Sequence, residues 1–165
     1  MILEEARHYH GRNVWSAFSS MLPTIATIIV VGEYLGLLSD IGFIIVCGAF
    51  LLPHLYVSAE YLLHDRNGIL YTSEGKLYLV QGETHLCLDA QNVPMAILFQ
   101  SRTRKDWVQF FSWQSLFFVG LVTSSGQRLA MTMTLAKSLE DVLKSTDIQL
   151  EIEYVEFPSL MHWLK

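Results

Sequence analysis

Charged residues are scarce in this chain. Asp, Glu, Lys and Arg make up 16% of its 165 residues, whereas typical soluble domains carry about 25%. The net charge is −5, and the part from His64 onward has slightly more acidic than basic residues. Because neutralising nucleic-acid phosphates requires a surplus of Lys and Arg, this balance argues against a nucleic-acid partner.

Cysteine and recognisable catalytic motifs are also lacking. Two cysteines, Cys47 and Cys87, exclude a disulfide framework and are interpreted as small buried hydrophobes. The sequence has no Gly-rich phosphate loop, nucleophile elbow, paired-cysteine zinc site or His-Glu-x-x-His motif. We therefore expect no cofactor and no metal, name no catalytic residue, and consider an enzyme the less favoured possibility.

Two long apolar stretches stand out against this background. Residues 14–32 and 41–59 contain no Lys, Arg, Asp or Glu, and eight residues join them. As helices, each is about 28 Å long, close to the roughly 30 Å of bilayer hydrocarbon. The sequence predicts a retained transmembrane helical hairpin within residues 1–63, and the alternative is a soluble protein in which both stretches are core helices.

The charges around the hairpin predict its direction. The connection between the two stretches carries Glu33 and Asp40 and no base, whereas Arg7 and Arg12 precede the hairpin and Arg66 follows it. Since Lys and Arg are retained on the cytoplasmic side, both termini are expected in the cytoplasm. The predicted location is the inner (cytoplasmic) membrane, with two spans.

His54 is the ionisable residue inside the second stretch, and it follows Pro53. An ionisable residue in a span is a functional candidate. The alternative, which we favour, is a neutral imidazole that bonds a freed backbone carbonyl near the membrane interface. A metal site shared by the juxtamembrane side chains is a weaker hypothesis, because their spacing is not specific. Those side chains are His8, His10, Glu60 and His64.

From His64 onward the hydrophobic pattern changes to short alternating runs that are typical of strands. An amphipathic helix is predicted over residues 136–145, a further possible strand over 148–156, and residues 157–165 as an apolar segment that packs on the body or on the membrane. The seven main strands are predicted at 68–72, 76–81, 85–89, 96–100, 108–112, 116–123 and 128–134. We expect an α+β membrane protein in which residues 64–165 form one small antiparallel β-barrel or sandwich capped by one helix.

This organisation resembles the bacterial membrane-anchored proteins with a pleckstrin-homology-like domain. The local resemblance lies in Gly68-Ile-Leu-Tyr-Thr-Ser-Glu-Gly-Lys-Leu-Tyr-Leu-Val, the 89–93 connection and Leu139-Glu-Asp-Val-Leu. It covers most of the chain at the level of architecture. The resemblance implies a cytosolic PH-like domain for binding or scaffolding, and it implies no catalytic residue.

One basic, aromatic-rich segment follows the fourth predicted strand. Its cations could contact anionic headgroups, and the alternative is a solvated connection between strands. Of the aromatic residues that follow, Trp113 is a candidate for an exposed recognition surface. The candidate residues for membrane or partner binding are Arg102, Arg104, Lys105, Trp107 and Trp113.

The sequence therefore predicts a non-enzymatic integral membrane protein. Its cytosolic domain would bind a partner protein, a second copy of the chain or the inner leaflet, and an open sheet edge favours self-association or capture of a partner. The alternatives are a membrane-tethered regulator that binds nucleic acid and a small membrane enzyme that uses the interfacial residues His54, His64 or Glu60.

Overall fold

The computed structural model describes residues 8–10, 14–104, 111–136 and 139–164, and it confirms the α+β class. The helices are α1 (Val14–Ser19), α2 (Leu22–Tyr34), α3 (Ile41–His64) and α4 (Leu139–Lys144). The strands are β1 (His8–His10), β2 (Gly68–Ser73), β3 (Lys76–Gln81), β4 (Thr84–Cys87), β5 (Met95–Gln100), β6 (Phe117–Val122), β7 (Arg128–Thr132) and β8 (Leu150–Tyr154). Short 3₁₀ turns occupy Asp65–Asn67, Ser112–Ser115 and Leu160–His162.

The first apolar stretch is a broken helix. α1 ends at Ser19 and α2 begins at Leu22, with Pro23 in its first turn. Proline fits there because the first N–H groups of a helix have no intrahelical partner. α3 is by contrast a single helix of 24 residues, about 36 Å long, and it continues through Pro53. At its start the Asp40 carboxylate accepts a hydrogen bond from the Phe43 N–H at 2.9 Å.

The two helices of the hairpin pack closely at Gly32. A Cβ atom added at Gly32 would lie 2.6 Å from Leu38 Cδ2 and 2.8 Å from the Phe43 ring. Gly32 is the one residue of α2 that is buried, and the other faces of α2 and of the first half of α3 are largely exposed. The distal half of the hairpin, residues 22–53, therefore presents an apolar surface to its surroundings.

Two four-stranded sheets form the β part of the molecule. Their strand orders are β1-β2-β3-β4 and β7-β6-β5-β8. All pairings are antiparallel except that of β5 with β8, which is parallel. The sheets do not close as a barrel. The antiparallel expectation fails at β8, because the connection through α4 brings the chain back so that β8 runs parallel to β5.

One core lies between the two sheets. Leu70, Leu77 and Leu79 of the first sheet contact inward residues of the second, such as Leu98 and Val119. The apolar side of α4, through Leu139 and Leu143, covers the same core. The period-two alternation of these strands is what places their apolar side chains on one face.

A second core lies on the other face of the second sheet. Phe99 and Phe118 contact Val57 and Tyr61 of α3 there, together with Trp163 from the C-terminal segment. The Trp163 Nε1–H donates to the Leu129 carbonyl at 2.6 Å. Residues 157–164 therefore pack onto the body through this core, which was one of the two predicted arrangements.

Most predicted strands occur within a residue or two of their expected bounds. β1 was not predicted; it pairs with β2, and three residues of polar character carry too little pattern to be recognised. The strand predicted over 108–112 lies largely outside the described residues, and its last residue, Ser112, begins a 3₁₀ turn.

Candidate functional site

Fully buried polar side chains lie at the junction between the hairpin and the β part. His54 and Ser58 of α3 are fully buried. His54 Nε2 lies 2.6 Å from the Ala17 carbonyl oxygen, and the Ser58 hydroxyl donates to the same oxygen at 3.3 Å. The break after α1 frees this carbonyl, since the Met21 N–H bonds Phe18 O instead.

The hydrogen bond to Ala17 fixes the tautomer of His54. A carbonyl oxygen only accepts, so Nε2 carries the proton and Nδ1 of the neutral ring is an acceptor. Nδ1 is buried and has no partner of hydrogen-bond geometry among the described residues, although the backbone of Ser112 lies beside the ring. The Ser112 hydroxyl is likewise buried without a partner. Two unsatisfied polar atoms thus lie where α3 meets the Ser112–Ser115 turn.

The end of α3 is tied to the C-terminal segment. The Tyr61 hydroxyl donates to the Pro158 carbonyl at 2.5 Å. The Glu60 carboxylate accepts from the Ser159 hydroxyl at 3.0 Å and from the Leu160 N–H at 3.2 Å. These bonds make the last third of α3 part of the β body.

Asp65 is a buried carboxylate that the sequence did not single out. Its Oδ2 accepts from the Thr132 hydroxyl at 2.5 Å, the Thr134 hydroxyl at 3.0 Å and the Thr132 N–H at 3.3 Å. Oδ1 has no partner among the described groups. In the sequence, Asp65 is an acidic residue directly after a long apolar stretch. This pattern did not indicate that its side chain is buried against β7. Asp65 fixes the exit of α3 to the second sheet.

The predicted basic cluster divides into two environments. The Arg104 guanidinium forms an ion pair with Glu140 of α4 and lies 3.9 Å from the Phe117 ring centroid, with 12% of its side chain exposed. Arg102 is exposed, and its guanidinium lies 5.7 Å from the Tyr154 ring centroid. Arg104 therefore joins α4 to the sheet, and Arg102 faces outward. Lys105 and Trp107 lie outside the described residues.

Trp113 belongs to a row of aromatic rings at the junction. It stacks on Phe111 at 4.4 Å between centroids, and Phe111 stacks on Phe50 of α3 at 5.9 Å. Phe157 meets Trp113 edge to face at 6.3 Å. The row links the distal hairpin to the β part, and Trp113 is half-buried within it.

The side chains of two of the four residues of the metal hypothesis, Glu60 and His64, have other partners. Glu60 bonds the C-terminal segment, and His64 Nε2 lies 3.1 Å from the Ala130 carbonyl oxygen. His8 and His10 lie in β1, opposite Thr72 and Leu70. Among the His, Cys, Asp and Glu residues whose side chains the structure describes, no three are grouped to hold a metal ion.

The two cysteines are separate and half-buried, one in α3 and one in β4. Burial, helped by the neighbouring Asp89, raises the pKa of the Cys87 thiol. A thiol with a raised pKa is a weak nucleophile at neutral pH. Cys87 lies in β4, which is an edge strand of the first sheet.

The class of protein that these features define is an α+β protein with an apolar helical hairpin. Two stretches, Ala17–Tyr34 and Ile41–Asn67, are long and apolar enough to cross a membrane. No known protein family, curated protein or solved structure matches the chain.

Proposed function

We propose that the chain is a non-enzymatic integral membrane protein whose hairpin crosses the bilayer and holds the β part against the cytoplasmic leaflet. There the β part acts as a binding module, with the inner leaflet as its first ligand and a protein as its second.

The continuity of α3 carries this proposal. Its first half presents exposed apolar side chains such as Ile44, Ile45 and Leu52. Its last third buries Val57 and Tyr61 in the core of the β part. Because no linker separates the two halves, insertion of the first half would fix both the position and the tilt of the β part at the membrane surface.

The length of α3 supports contact between the β part and the leaflet. Crossing about 30 Å of hydrocarbon takes roughly 20 helical residues, and from Ile41 this distance ends near Glu60. Of the residues of α3 that pack on the β part, Tyr61 would then lie at the level of the inner headgroups, and Val57 would lie about 6 Å deeper. The side chains around them suit that level, since Tyr56, Leu63, Met161 and Leu164 are exposed and apolar or amphipathic.

The charge pattern supports an outward tip. Glu33 and Asp40 flank the turn between α2 and α3, and both are exposed. A carboxylate left at the bilayer centre costs about 3 kcal/mol. This cost favours a hairpin that crosses completely over one that stops inside the bilayer. The basic residues Arg7, Arg12 and Arg66 outside the hairpin support termini in the cytoplasm of a bacterial cell.

The resemblance to PH-like domains is part of the same proposal. The strands β2 to β7 precede α4, which is the order that the resemblance implies, and β8 follows α4. Together the strands form open sheets whose edges could receive a peptide strand. A scaffolding role fits such a surface better than catalysis does.

A second copy of the chain is the partner favoured by one observation. β8 lies at the edge of its sheet, and its Ile152 and Tyr154 are 50% and 52% exposed. An edge strand with exposed apolar side chains can pair with another strand. If β8 pairs with its copy, native mass spectrometry in mild detergent will find dimers that Ile152→Lys removes. A wild-type chain that is entirely monomeric would exclude this partner.

The anchor is tested by two matched variants of the full chain, Ile45→Lys and Ile69→Lys. Both isoleucines are exposed, but Ile45 lies on the distal half of α3 and Ile69 on β2. We expect the wild type and Ile69→Lys to remain in the membrane pellet after alkaline carbonate extraction in a bacterial host. Ile45→Lys should shift toward the soluble fraction, because lysine in a span costs about 3 kcal/mol. Extraction of the wild-type chain into the supernatant would overturn the proposal.

A further inference from the structure

Two cavities lie on either side of Phe111 at the junction between the hairpin and the β part. The first, of about 420 Å³, lies between α2 and α3, and the second, of about 630 Å³, lies beside β8. Phe111 lines both of them. Volumes of this size are typical of sites for small organic ligands.

The first cavity is apolar and has one unsatisfied polar group. Its walls include Ile28, Phe43, Val46 and Phe50. Ser112 closes it toward the β part, and the buried Ser112 hydroxyl has no hydrogen-bond partner among the described groups. An apolar chain fits these walls, and a ligand oxygen near Ser112 would remove the cost of the unsatisfied hydroxyl, about 1–3 kcal/mol.

The second cavity carries both signs of charge. Arg102 and Glu156 line it, together with Gln114. Arg102 and Glu156, both within the described residues, form no ion pair with each other. A ligand with one negative and one positive group would complement both side chains, whereas a ligand with only negative groups would face the Glu156 carboxylate.

The second cavity also indicates which kind of positively charged group it can bind. Quaternary ammonium ions are recognised by free aromatic faces. Here the Arg102 guanidinium lies over the Tyr154 ring, and Trp113 and Phe111 are stacked on each other. An ammonium with N–H donors can in addition form charge-assisted hydrogen bonds to the Glu156 carboxylate, which a quaternary ammonium cannot do.

We propose that the junction binds one phospholipid with a primary-ammonium headgroup, of the phosphatidylethanolamine class. One acyl chain occupies the cavity between α2 and α3. An ester oxygen accepts from Ser112, the phosphate binds Arg102, and the ammonium donates to Glu156. The inference rests on the proposed membrane anchor and adds the lipid class and its site.

Two pairs of variants test the site in the full chain, each with a neighbour as its control. Val46→Trp fills the first cavity, and the control Ile45→Trp adds the same ring at an exposed position outside the lining. Glu156→Gln removes the acceptor charge, and the control Glu151→Gln changes an exposed carboxylate of β8 that does not line the cavity.

The measurement is native mass spectrometry of delipidated protein titrated with phosphatidylethanolamine, phosphatidylcholine and phosphatidylglycerol of identical acyl chains. The proposal expects one retained phosphatidylethanolamine, bound about 10-fold more tightly than the other two lipids, as a gain of about 1.4 kcal/mol gives. Val46→Trp should weaken retention of all three lipids, and Glu156→Gln should abolish the preference. The two controls should behave as the wild type does.

Equal retention of the three lipids by the wild type would overturn the headgroup assignment. Retention by Val46→Trp equal to that of Ile45→Trp would overturn the acyl-chain site. Neither result would contradict the proposed membrane anchor, because carbonate extraction of the same preparations reports separately whether the chain is integral to the membrane.

Discussion

His54 Nε2 donates a hydrogen bond to the Ala17 carbonyl oxygen across 37 residues of sequence, at 2.6 Å. The donor belongs to the unbroken helix α3, and the acceptor belongs to α1, just before the break that frees it. A backbone group released by a helix break is thereby satisfied by a side chain of the other helix. This bond fixes the relative position of α1 and α3 at the base of the hairpin.

Replacement of His54 tests this relationship. His54→Leu removes the buried donor and leaves Ala17 O with weaker partners, so we expect a loss of about 1–3 kcal/mol, measured as a lower melting temperature of the full chain in detergent. His54→Gln, whose amide can donate to the same oxygen, should recover part of the loss. The control His85→Leu changes an exposed histidine of β4 and should leave the melting temperature near that of the wild type. Equal melting temperatures for His54→Leu and the wild type would contradict the structural role.

Two of the glycines of the hairpin, Gly32 and Gly48, form a matched pair for testing its packing. A side chain at Gly32 would collide with Leu38 and Phe43, whereas Gly48 has no atom within 4 Å of an added Cβ. We expect Gly32→Leu to lower stability in detergent by about 1–3 kcal/mol, the usual cost of overpacking. Gly48→Leu should have no destabilising effect, since glycine is the poorer helix former. The packing is wrong if the two variants unfold at the same temperature.

Trp163 is expected to contribute strongly to the second core. It is buried, its Nε1–H bonds Leu129 O, and its ring lies over Gly120. Trp163→Ala should destabilise the chain by about 3–5 kcal/mol and expose the C-terminal segment to limited proteolysis. Trp15→Ala, at a tryptophan that is 67% exposed, is the control. Unchanged proteolysis of Trp163→Ala would show that the segment is held by other contacts.

Asp89 makes the stability of the β part depend on pH in the acidic range. Its Oδ1 accepts from the Asn92 N–H at 2.8 Å and from the Gln91 N–H at 3.1 Å. The hydrogen bond from the Asn92 backbone is the main cause that lowers the pKa of this carboxyl. The stabilising effect is therefore complete above the ordinary Asp pKa of about 3.9 and is lost as the pH falls through the lower pKa of the folded state.

The measurement for Asp89 compares the wild type with Asp89→Ala between pH 7 and pH 3. The wild type should melt higher by a constant amount above about pH 5, and the difference should shrink below about pH 4. Asp89→Asn keeps an acceptor oxygen that does not titrate, so its difference from Asp89→Ala should not depend on pH. A wild-type advantage that grows in acid would contradict the assigned hydrogen bonds.

Local pattern was enough to predict most of the strands and both halves of the hairpin. β2, β3 and the β6–β7 pair have clear alternation and turn residues, and the apolar stretches have the length of spans. The long-range pairings were not predictable in this way. The parallel partner of β5 is β8, about 50 residues later, and the residue pattern of neither strand indicates which strand it pairs with.

The junction was harder to predict than the elements that form it. His54 was recognised as a candidate from its position in an apolar stretch. Its partner, the Ala17 carbonyl, is freed by the break before Pro23, and the sequence did not show that this carbonyl lies within reach of His54. Arg104 was grouped with Arg102 because they are close in sequence. Their environments differ because Glu140, which pairs with Arg104, lies 36 residues away. The environment of each arginine is therefore set by tertiary contacts and not by its neighbours in the sequence.

The anchor, its direction and its complete crossing are tested together by cysteine labelling. In a background with Cys47→Ala and Cys87→Ala, single cysteines are placed at Ser39, in the turn of the hairpin, and at Glu83, in the exposed turn between β3 and β4. A membrane-impermeant maleimide is applied to bacterial cells with a permeabilised outer membrane. We predict that Ser39→Cys is labelled in these cells and that Glu83→Cys is labelled only after lysis. Labelling of Glu83→Cys before lysis, or a Ser39→Cys that stays unlabelled in cells, would contradict the proposed anchor.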